Sequence, residues 1–266
     1  MNLFILAGTE DGRELASAFQ KRGYQVLVST LTEYGSEIAQ EQGLTVRFGA
    51  LDEDSLRRIL REQEMSALID ATHPYAQEIH GLAQRIASEC GRPYFRWERP
   101  LGEYPPHQLI YFVSSLEEAA ERAAQLGGRI FLSTGSKNLS EWLAQPVFQG
   151  CEVFVRILPT AQVLSQCETA GLKPYQIIAM QGPFTSKFNE ALWEQMEIEV
   201  VISKESGSFG GTGEKVQACL QLGIPIILLE RPASAQAELN TDVNDPHAMP
   251  TTIGDFVRKV EDTIGL

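Results

Sequence analysis

The chain has 266 residues, which is enough for one large domain or two smaller ones. Apolar residues make up 43% of it and charged residues 21%, a composition typical of a folded chain with a packed core and not of a disordered one. The formal net charge of −13 argues against a broad basic surface for nucleic acid. A local cluster of lysine and arginine can still bind a small anion, because charges are screened over about 8 Å at physiological salt.

Membrane-spanning and metal-binding segments are not expected. No apolar run approaches the roughly 18 residues that a membrane span needs. The first eight residues predict a strand and not a signal peptide, because no positively charged segment precedes the apolar ones. The four cysteines form no C-x-x-C pair, and no histidine lies near them at metal-ligand spacing. We therefore expect a cytoplasmic protein with reduced thiols, no membrane contact and no metal of its own.

Short apolar runs alternate with amphipathic segments through the first half of the chain. The runs predict strands, and the amphipathic segments predict helices that each turn one apolar face to a core. The predicted strands are Leu3–Ala7, Gln25–Ser29, Thr45–Phe48, Ala67–Ala71 and Pro93–Trp97. The predicted helices are Gly12–Arg22, Ser36–Gln42, a segment from Asp52, and Tyr75–Glu89.

The same alternation continues through the second half. Its predicted strands are Arg129–Ser133, Glu152–Leu158, Gln176–Met180, Val200–Ser203 and Pro225–Leu229. Its predicted helices are Leu116–Gln125, Ala161–Ala170, Lys187–Gln195, Glu214–Gln221 and Thr251–Ile264. Such alternation is typical of parallel sheets covered by helices on both faces. Ten strands favour two sheets over one, because open sheets rarely contain so many.

A short internal repeat supports a division into two halves. Gly91-Arg92-Pro93 is followed by Glu98-Arg99-Pro100, and Gly223-Ile224-Pro225 is followed at the same spacing by Glu230-Arg231-Pro232. Gly-x-Pro is also common in turns between a helix and a strand, so the repeat alone does not establish that one half is a duplicate of the other.

The boundary between the halves is expected within Leu101–Ser115, where glycine and proline cluster. We predict an α/β fold of two Rossmann-like halves, each a mostly parallel sheet with helices on both faces. The predicted domains are residues 1–105 and residues 106–266, and the closing helix at 251–264 is assigned to the second.

Ligands of open parallel sheets bind beyond the carboxyl ends of the strands. The first strand leads into Gly8-Thr9-Glu10-Asp11-Gly12-Arg13, where glycines let backbone N–H groups approach a phosphate at a helix N-terminus. The pattern is G-x-x-x-G and not the dinucleotide fingerprint G-x-G-x-x-G, so a plain strand-to-helix turn stays open. The second strand ends near Ser29 and Thr30, where NAD sites usually carry an acidic residue. A neutral end favours NADP, because a carboxylate repels the 2′-phosphate.

Thr72-His73-Pro74-Tyr75 follows the fourth predicted strand. One interpretation is an ordinary helix start, because proline favours the first helical position. The functional interpretation puts His73 at the ligand-binding end of a sheet, where a histidine can donate a proton near neutral pH.

Two strand exits of the second half combine glycine, hydroxyl and lysine side chains. Ser136 and Lys137 follow one strand directly. Lys204–Lys215 contains four glycines and two lysines, which predicts an anion-binding nest, with a merely flexible loop as the alternative. This loop is not a Walker A motif, because no glycine precedes Lys215 and Val216 follows it.

In this order and spacing the motifs resemble the precorrin-6A reductase family of cobalamin biosynthesis, including its cobalt-precorrin-6A form. The resemblance extends over nearly the whole chain; each motif is weak alone, and their order makes the match fairly specific. In the first half the motifs are Ile5-Leu6-Ala7-Gly8-Thr9 with Gly12-Arg13, Thr32-Glu33-Tyr34-Gly35, Ile69-Asp70-Ala71-Thr72-His73-Pro74-Tyr75-Ala76, and Arg96 with Glu98-Arg99-Pro100. In the second half they are Thr134-Gly135-Ser136-Lys137, Arg156-Ile157-Leu158-Pro159, Gln181-Gly182-Pro183-Phe184, and Lys204 with Ser206-Gly207, Gly210-Gly211-Thr212 and Lys215.

The resemblance implies an NADPH-dependent oxidoreductase that acts on a CH–CH bond and reduces precorrin-6A to precorrin-6B. We expect NADPH in the first half and the anionic tetrapyrrole in the second, where charged donors can bind its many carboxylates. The cofactor candidates are Gly8, Thr9, Gly12, Arg13, Ser29, Thr30 and Thr72. The substrate candidates are Ser136, Lys137, Arg156, Lys204, Ser206, Gly207, Gly211, Thr212 and Lys215. The candidate proton donor is His73, with Tyr75 as its alternative.

Two other classes of function stay open at this point. A phosphotransferase would bind nucleotide phosphates in Ser206–Lys215, although the Walker pattern fails there. A non-catalytic NADP sensor or tetrapyrrole carrier would bind its ligands without turnover. The sequence indicates neither the oligomeric state nor whether the macrocycle already contains cobalt.

Overall fold

Two parallel sheets organise the structure, a computed structural model that describes residues 1–207, 210–231, 250 and 252–265. The chain divides into two units. The first consists of Met1–Pro100 with Ala233–Leu266, and the second of Leu101–Pro232.

The first unit contains a five-stranded sheet whose strands all run parallel, in the order β3-β2-β1-β4-β5. Its strands are β1 (Asn2–Ala7), β2 (Gln25–Thr30), β3 (Thr45–Phe48), β4 (Met65–Ala71) and β5 (Tyr94–Arg96). Its helices in this part of the chain are α1 (Glu10–Lys21), α2 (Glu33–Glu41), α3 (Glu53–Glu62) and α4 (Gln77–Glu89). Strand order reverses between β1 and β4. Helices α1 and α2 pack into one core cluster of this unit, and α3 and α4 pack into the other. This reversal is the topological switch point at which such sheets bind ligands.

The second unit contains a six-stranded parallel sheet in the order β6-β11-β10-β7-β8-β9. Its strands are β6 (Ile110–Val113), β7 (Arg129–Ser133), β8 (Glu152–Ile157), β9 (Ile177–Ala179), β10 (Val200–Lys204) and β11 (Ile226–Leu229). Its helices are α5 (Leu116–Leu126), α6 (Leu139–Leu143), α7 (Ala161–Thr169), α8 (Ser186–Gln195) and α9 (Thr212–Leu222). Read from the other edge, the order is β9-β8-β7-β10-β11-β6. Its first five strands correspond one by one to β3-β2-β1-β4-β5 of the first unit, and β6 is an additional edge strand.

Each sheet has an apolar core on both faces. Successive residues of a strand point to opposite faces, so Ile5 joins one core cluster of the first unit and Phe4 the other. Ile130 and Phe131 divide in the same way between the two clusters of the second unit. The predicted α/β fold of two Rossmann-like halves is therefore confirmed. None of the described helices is long and apolar enough to span a membrane.

The closing helix, α10 (Ile253–Ile264), packs in the first unit. Phe256 is buried against Trp97, with ring centroids 5.3 Å apart, and Val260 belongs to the same core cluster. The predicted place of this helix in the second domain is therefore wrong. Its periodicity predicts an apolar face but not which of two apolar sheets will cover that face. Thr251, the predicted first residue, lies outside the described residues.

The segment expected to contain the domain boundary includes a strand. Within Leu101–Ser115, Ile110–Val113 forms β6 and pairs with β11, where Ile110 lies opposite Ile226. The four residues are too few for a period-two pattern to stand out from the proline-rich sequence before them. The second sheet consequently has six strands and not the predicted five.

The arginine of each Glu-Arg-Pro repeat forms a buried ion pair in its own unit. Arg99 donates from Nε and Nη2 to the Asp11 carboxylate at 2.7 and 2.6 Å. Arg231 donates from Nε to Glu205 Oε2 at 2.8 Å. All four side chains are buried. Pro232, the last residue of the second copy, lies outside the described residues. The repeated motif thus follows the corresponding strand of the two sheets, β5 and β11, and brings an arginine into each interior.

Candidate functional site

The first turn of the chain lies against the end of β4. Thr9 Oγ1 donates to the carbonyl oxygen of Ala71 at 3.2 Å. A Cβ added to Gly12 would lie 3.0 Å from Ala7 Cβ and 3.1 Å from the Ala71 oxygen. Glycine is therefore needed for α1 to begin this close to both strands. The result is an open turn at a helix N-terminus on the switch point, a geometry that suits a phosphate.

Arg13 adds an unsatisfied donor on the same helix. Its Nε is buried and finds no hydrogen-bond partner among the described residues. Gly8 has open space where a side chain would begin. The residues of this turn therefore fit an anionic group: there is room beside the backbone, and a cationic donor lacks an acceptor.

Thr72, which follows β4, is held by a buried carboxylate. Asp70 Oδ1 accepts from Thr72 N at 3.0 Å and from Thr72 Oγ1 at 2.6 Å, while Oδ2 accepts from Tyr94 and Arg96. Because the Thr72 proton goes to Asp70, the Thr72 oxygen can accept from His80 Nε2, 2.9 Å away. Burial and the charge of Asp70 raise the pKa of Tyr94, so its hydroxyl stays a donor. This network fixes the start of the loop that carries His73.

The ring of His73 is oriented by its own loop. His73 Nδ1 accepts from the backbone N–H of Tyr75 at 3.3 Å, and the two rings lie with their centroids 5.5 Å apart. A nitrogen that accepts a hydrogen bond carries no proton, so the proton of the neutral ring is on Nε2. Nε2 is consequently the atom from which His73 can donate.

The end of β2 is neutral, as predicted from its sequence. Ser29 and Thr30 are both buried. Thr30 Oγ1 donates to the carbonyl oxygen of Thr32 at 3.1 Å. Ser29 Oγ accepts from Arg47 Nη1 of the neighbouring strand at 2.9 Å. The structure therefore brings to this edge an arginine that belongs to none of the sequence motifs.

Two cations converge at the carboxyl ends of the second sheet. Ser133 and Ser203 lie side by side in register on β7 and β10. Arg156 Nη2 donates to Ser133 Oγ at 3.1 Å, and Lys215 Nζ donates to Ser203 Oγ at 3.0 Å. Neither cation forms an ion pair with any carboxylate in the described part of the chain. The two cations thus have neutral hydroxyl groups as their partners at these strand ends.

Burial shapes the ionisation of both cations. It lowers the pKa of Arg156 to about 10, and together with the charge of Arg156 it lowers the pKa of Lys215 to about 8. Arg156 is held in place by Asn189 Oδ1, which accepts from Nη1 at 2.7 Å, and by the ring of Phe184, whose centroid is 4.2 Å from Cζ. A fixed arginine beside a partly buried lysine is suited to bind carboxylates.

The loop predicted to be an anion nest uses several donors internally. Ser206 N donates to Thr212 Oγ1 at 3.3 Å, the two hydroxyls lie 3.0 Å apart, and Gly207 N donates to Glu205 at 2.8 Å. Gly211 begins α9 with a φ of +66°, a conformation that favours glycine. Ser208 and Phe209 lie outside the described residues. The described part of the loop therefore contributes chiefly its lysines to the sheet edge.

The remaining substrate candidates lie around the same edge. Burial, followed by the charge of Lys137, lowers the pKa of Lys204, so these two lysines are close enough to repel each other. Ser136 precedes Lys137 in the turn after β7. The structure thus joins Arg156 and Lys215 through neighbouring serines and puts Lys204 near Lys137, whereas Ser206 and Thr212 bond within their own loop.

Several residues of these edges were missed as site residues. Asp70 and His80 both form hydrogen bonds with Thr72. Asp70 could have been found from the sequence, because it is a carboxylate at the end of an apolar strand. Ser133 and Ser203 lie opposite each other in register near the carboxyl ends of β7 and β10. Nothing in the sequence marked Arg47 as a site residue, because it is only one cation on a short strand. Among the described residues no three histidine, cysteine, aspartate or glutamate side chains are grouped to hold a metal ion.

Comparison with known proteins gives a single family over most of the chain. The model of the family precorrin-6x reductase CbiJ/CobK matches residues 2–251. A cobalt-precorrin-6A reductase from Methanothermobacter thermautotrophicus is 39% identical over 237 residues, which cover 87% of this chain and 77% of the relative. One from Priestia megaterium is 36% identical over 231 residues, which cover 86% and 90%.

A solved structure resembles this fold along the full length. It is CobK precorrin-6A reductase, with a TM-score of 0.75, 23% sequence identity, and coverage of 100% of this chain and 97% of that one. At this identity the likeness concerns the fold, and it agrees with the two parallel sheets described above.

Proposed function

Because the chain belongs to the precorrin-6x reductase CbiJ/CobK family, we propose that it reduces one double bond of precorrin-6A, or of its cobalt complex, with NADPH as the hydride source. It is a reductase of cobalamin biosynthesis, and such a reductase draws on a nicotinamide cofactor. The observation that carries the proposal is the family match over residues 2–251. The relatives named cobalt-precorrin-6A reductase support the cobalt complex as the first substrate to test.

The first unit would hold the cofactor. Its open turn on the switch point fits a pyrophosphate, because Gly12 admits close backbone approach and Arg13 has a buried donor without an acceptor. The neutral end of β2 fits a 2′-phosphate better than a free ribose diol. Bound NADPH supplies the hydride. The residues assigned to it are Gly8, Thr9, Gly12, Arg13, Ser29, Thr30 and Thr72.

His73 would protonate the carbon next to the one that receives the hydride. Its Nε2 carries the proton while Nδ1 accepts from Tyr75 N. Thr72, held by the buried Asp70, anchors the loop that orients the ring. Tyr75, whose ring lies beside that of His73, is the alternative donor. The chain's part in the chemistry is therefore to orient the reactants and to deliver one proton.

The second unit would bind the carboxylates of the tetrapyrrole. Arg156 and Lys215 support this most directly, because each donates to a neutral serine and forms no ion pair with a described carboxylate. The full set assigned to the substrate is Ser136, Lys137, Arg156, Lys204, Ser206, Gly207, Gly211, Thr212 and Lys215. A phosphotransferase or a non-catalytic carrier finds no comparable support.

The proposal is tested by following NADPH absorbance with precorrin-6A and with its cobalt complex as acceptors. We expect oxidation of NADPH to depend on one of the two macrocycles, and the preferred one identifies the form of the pathway. Turnover of neither, by a chain that binds NADPH and both macrocycles, would contradict the reductase and favour a carrier.

Substitution of Lys215 by methionine is expected to raise the KM for the macrocycle about 10–100-fold, because a charge-assisted hydrogen bond to a carboxylate is lost. The Lys215 pKa of about 8 means that the side chain is charged at lower pH and loses its charge as the pH rises above that value. The KM of the unmodified enzyme should therefore rise above pH 8, and the variant should lack that rise. Steady-state kinetics across pH measure both effects.

Lys173 provides the matched control for this experiment. It is an exposed lysine at the amino end of β9, on the opposite edge of the same sheet. Lys173→Met removes the same charge from the protein and should leave the KM within about twofold. An equal rise in KM for both variants would show a general charge effect and would remove Lys215 from the substrate site.

A further inference from the structure

We infer that Arg47 selects NADPH over NADH by binding the 2′-phosphate of the cofactor at the end of β2. The inference rests on the proposed use of NADPH and names the side chain that makes the choice. Neither the motifs of the first turn nor those after β4 include this residue.

The register of the sheet brings Arg47 to the end of β2. Arg47 lies opposite Ser29 in the parallel pairing of β3 with β2. Val46 packs against one core cluster, so Arg47, as the next residue of the strand, points to the other face of the sheet. Its Nη1 donates to Ser29 Oγ at 2.9 Å, and its Nη2 donates to the carbonyl oxygen of Phe48 at 2.8 Å. The guanidinium is thereby fixed beside the last residues of β2.

In the described part of the chain, the charge of Arg47 is not paired with a carboxylate. Both of its acceptors, a hydroxyl and a backbone carbonyl, are neutral. No carboxylate of the described ranges forms an ion pair with it, whereas Arg57, Arg85, Arg96 and Arg99 each have at least one. Burial lowers the pKa of Arg47, which reflects the cost of keeping this cation partly out of water. A partly buried guanidinium with only neutral partners is a ready receptor for an anion.

The position of this receptor indicates which anion it takes. In open parallel sheets the dinucleotide crosses the switch point, and its adenosine ribose lies at the end of the second strand. NAD sites place a carboxylate there to accept from the ribose hydroxyls, and here Ser29 and Thr30 stand in its place. An arginine at this point matches the geometry and the charge of a 2′-phosphate.

Ser29 completes the receptor as a second donor. Its oxygen accepts from Arg47, which leaves its own proton for a phosphate oxygen. The hydroxyl of Thr30, in contrast, already donates to the Thr32 carbonyl at 3.1 Å. The assignment is therefore Arg47 and Ser29 as ligands of the phosphate, with Thr30 as a neutral neighbour that avoids repulsion.

The test is calorimetric titration of the full chain, without macrocycle, with 2′,5′-ADP and with 5′-AMP, which differ only by the 2′-phosphate. The unmodified chain is expected to bind 2′,5′-ADP more tightly. Arg47→Gln should weaken 2′,5′-ADP about 10–100-fold while 5′-AMP stays within about twofold. Arg61→Gln, at an exposed arginine in the last turn of α3, is the control and should change neither affinity.

The outcomes separate this inference from the proposed function. The inference is supported if Arg47→Gln loses affinity for 2′,5′-ADP alone, so that the variant binds both nucleotides equally. It is overturned if the variant loses affinity for both nucleotides to the same extent. An unmodified chain that reduces the macrocycle equally well with NADH overturns the inference and leaves the reductase intact. An unmodified chain that binds neither nucleotide overturns the inference together with the NADPH proposal.

A second variant keeps the test valid if Arg47→Gln does not fold. Thr30→Asp leaves Arg47 in place and adds a carboxylate at the end of β2, at the position where NAD sites carry an acidic residue. It should weaken 2′,5′-ADP at least tenfold more than 5′-AMP, because its carboxylate repels the 2′-phosphate. A uniform loss of both nucleotides would overturn the placement of the 2′-phosphate at this edge.

Discussion

Replacing Asp11 by alanine is expected to lower the free energy of unfolding by about 3–5 kcal/mol, because it removes one member of a buried ion pair. Both Asp11 and Arg99 are buried, and the guanidinium donates to both carboxylate oxygens, at 2.6 and 2.7 Å. Trp97 Nε1 donates to the same carboxylate at 3.0 Å. The three side chains tie the start of α1 to the segment after β5. Urea unfolding measures the loss.

An exposed ion pair of the same unit provides the control. Asp54 pairs with Arg57 at 3.1 Å, but its side chain is 96% exposed, so solvent screens the attraction. Asp54→Ala should therefore lower stability far less than Asp11→Ala. Equal losses for the two variants would mean that the buried pair does not stabilise this unit.

The same pair predicts a dependence on pH. Burial by itself would raise the pKa of Asp11, but the hydrogen bonds and charge of Arg99, helped by Thr9 and Trp97, hold that pKa below its ordinary value of 3.8. A carboxyl group with a lowered pKa stabilises the fold above its ordinary pKa and loses that contribution as the pH falls through the lowered value. Asp11→Asn should remove this part of the acid sensitivity.

Local patterns in the sequence were sufficient to predict most strands and helices. The continuous burial of β1, for example, follows directly from its apolar run, and the helices α1 and α4 follow from their periodicity. The strand exits at Gly8, Thr72 and Lys204 were also predictable, because parallel strands bring their carboxyl ends to one edge. These features depend on neighbours within a few residues.

What escaped prediction depends on pairing between distant segments. The apolar face of α10 fits either sheet, and only the completed core shows that it covers the first. Arg47 meets Ser29 because β3 pairs with β2 in one register, and a shift by one residue would turn the guanidinium to the other face. The joining of Arg156 and Lys215 through Ser133 and Ser203 likewise depends on the register of β7 with β10. A single sequence does not encode such registers in any local pattern.

Substitution of His73 by glutamine is expected to reduce kcat about 10²–10⁴-fold at saturating macrocycle and NADPH, with little change in either KM. The reason is that His73 Nδ1 accepts from Tyr75 N at 3.3 Å, which fixes the proton on Nε2 as the one to be delivered. Glutamine retains a polar side chain of similar length but is not a Brønsted acid near neutral pH. Single-turnover oxidation of NADPH, which isolates the chemical step, measures the loss.

His107 is the matched control, because its Nδ1 accepts from the backbone N–H two residues ahead, as that of His73 does. It lies in the exposed segment before β6, so His107→Gln removes a histidine of the same local geometry from a place outside the candidate site. Tyr75→Phe separates the two candidate donors: the variant that loses the chemical step identifies the acid. A loss smaller than about threefold in His73→Gln would exclude His73, since even a modest general acid contributes more than that. A full loss in Tyr75→Phe alone would transfer the role to the phenol, whose proton would then reach the macrocycle from the same strand exit.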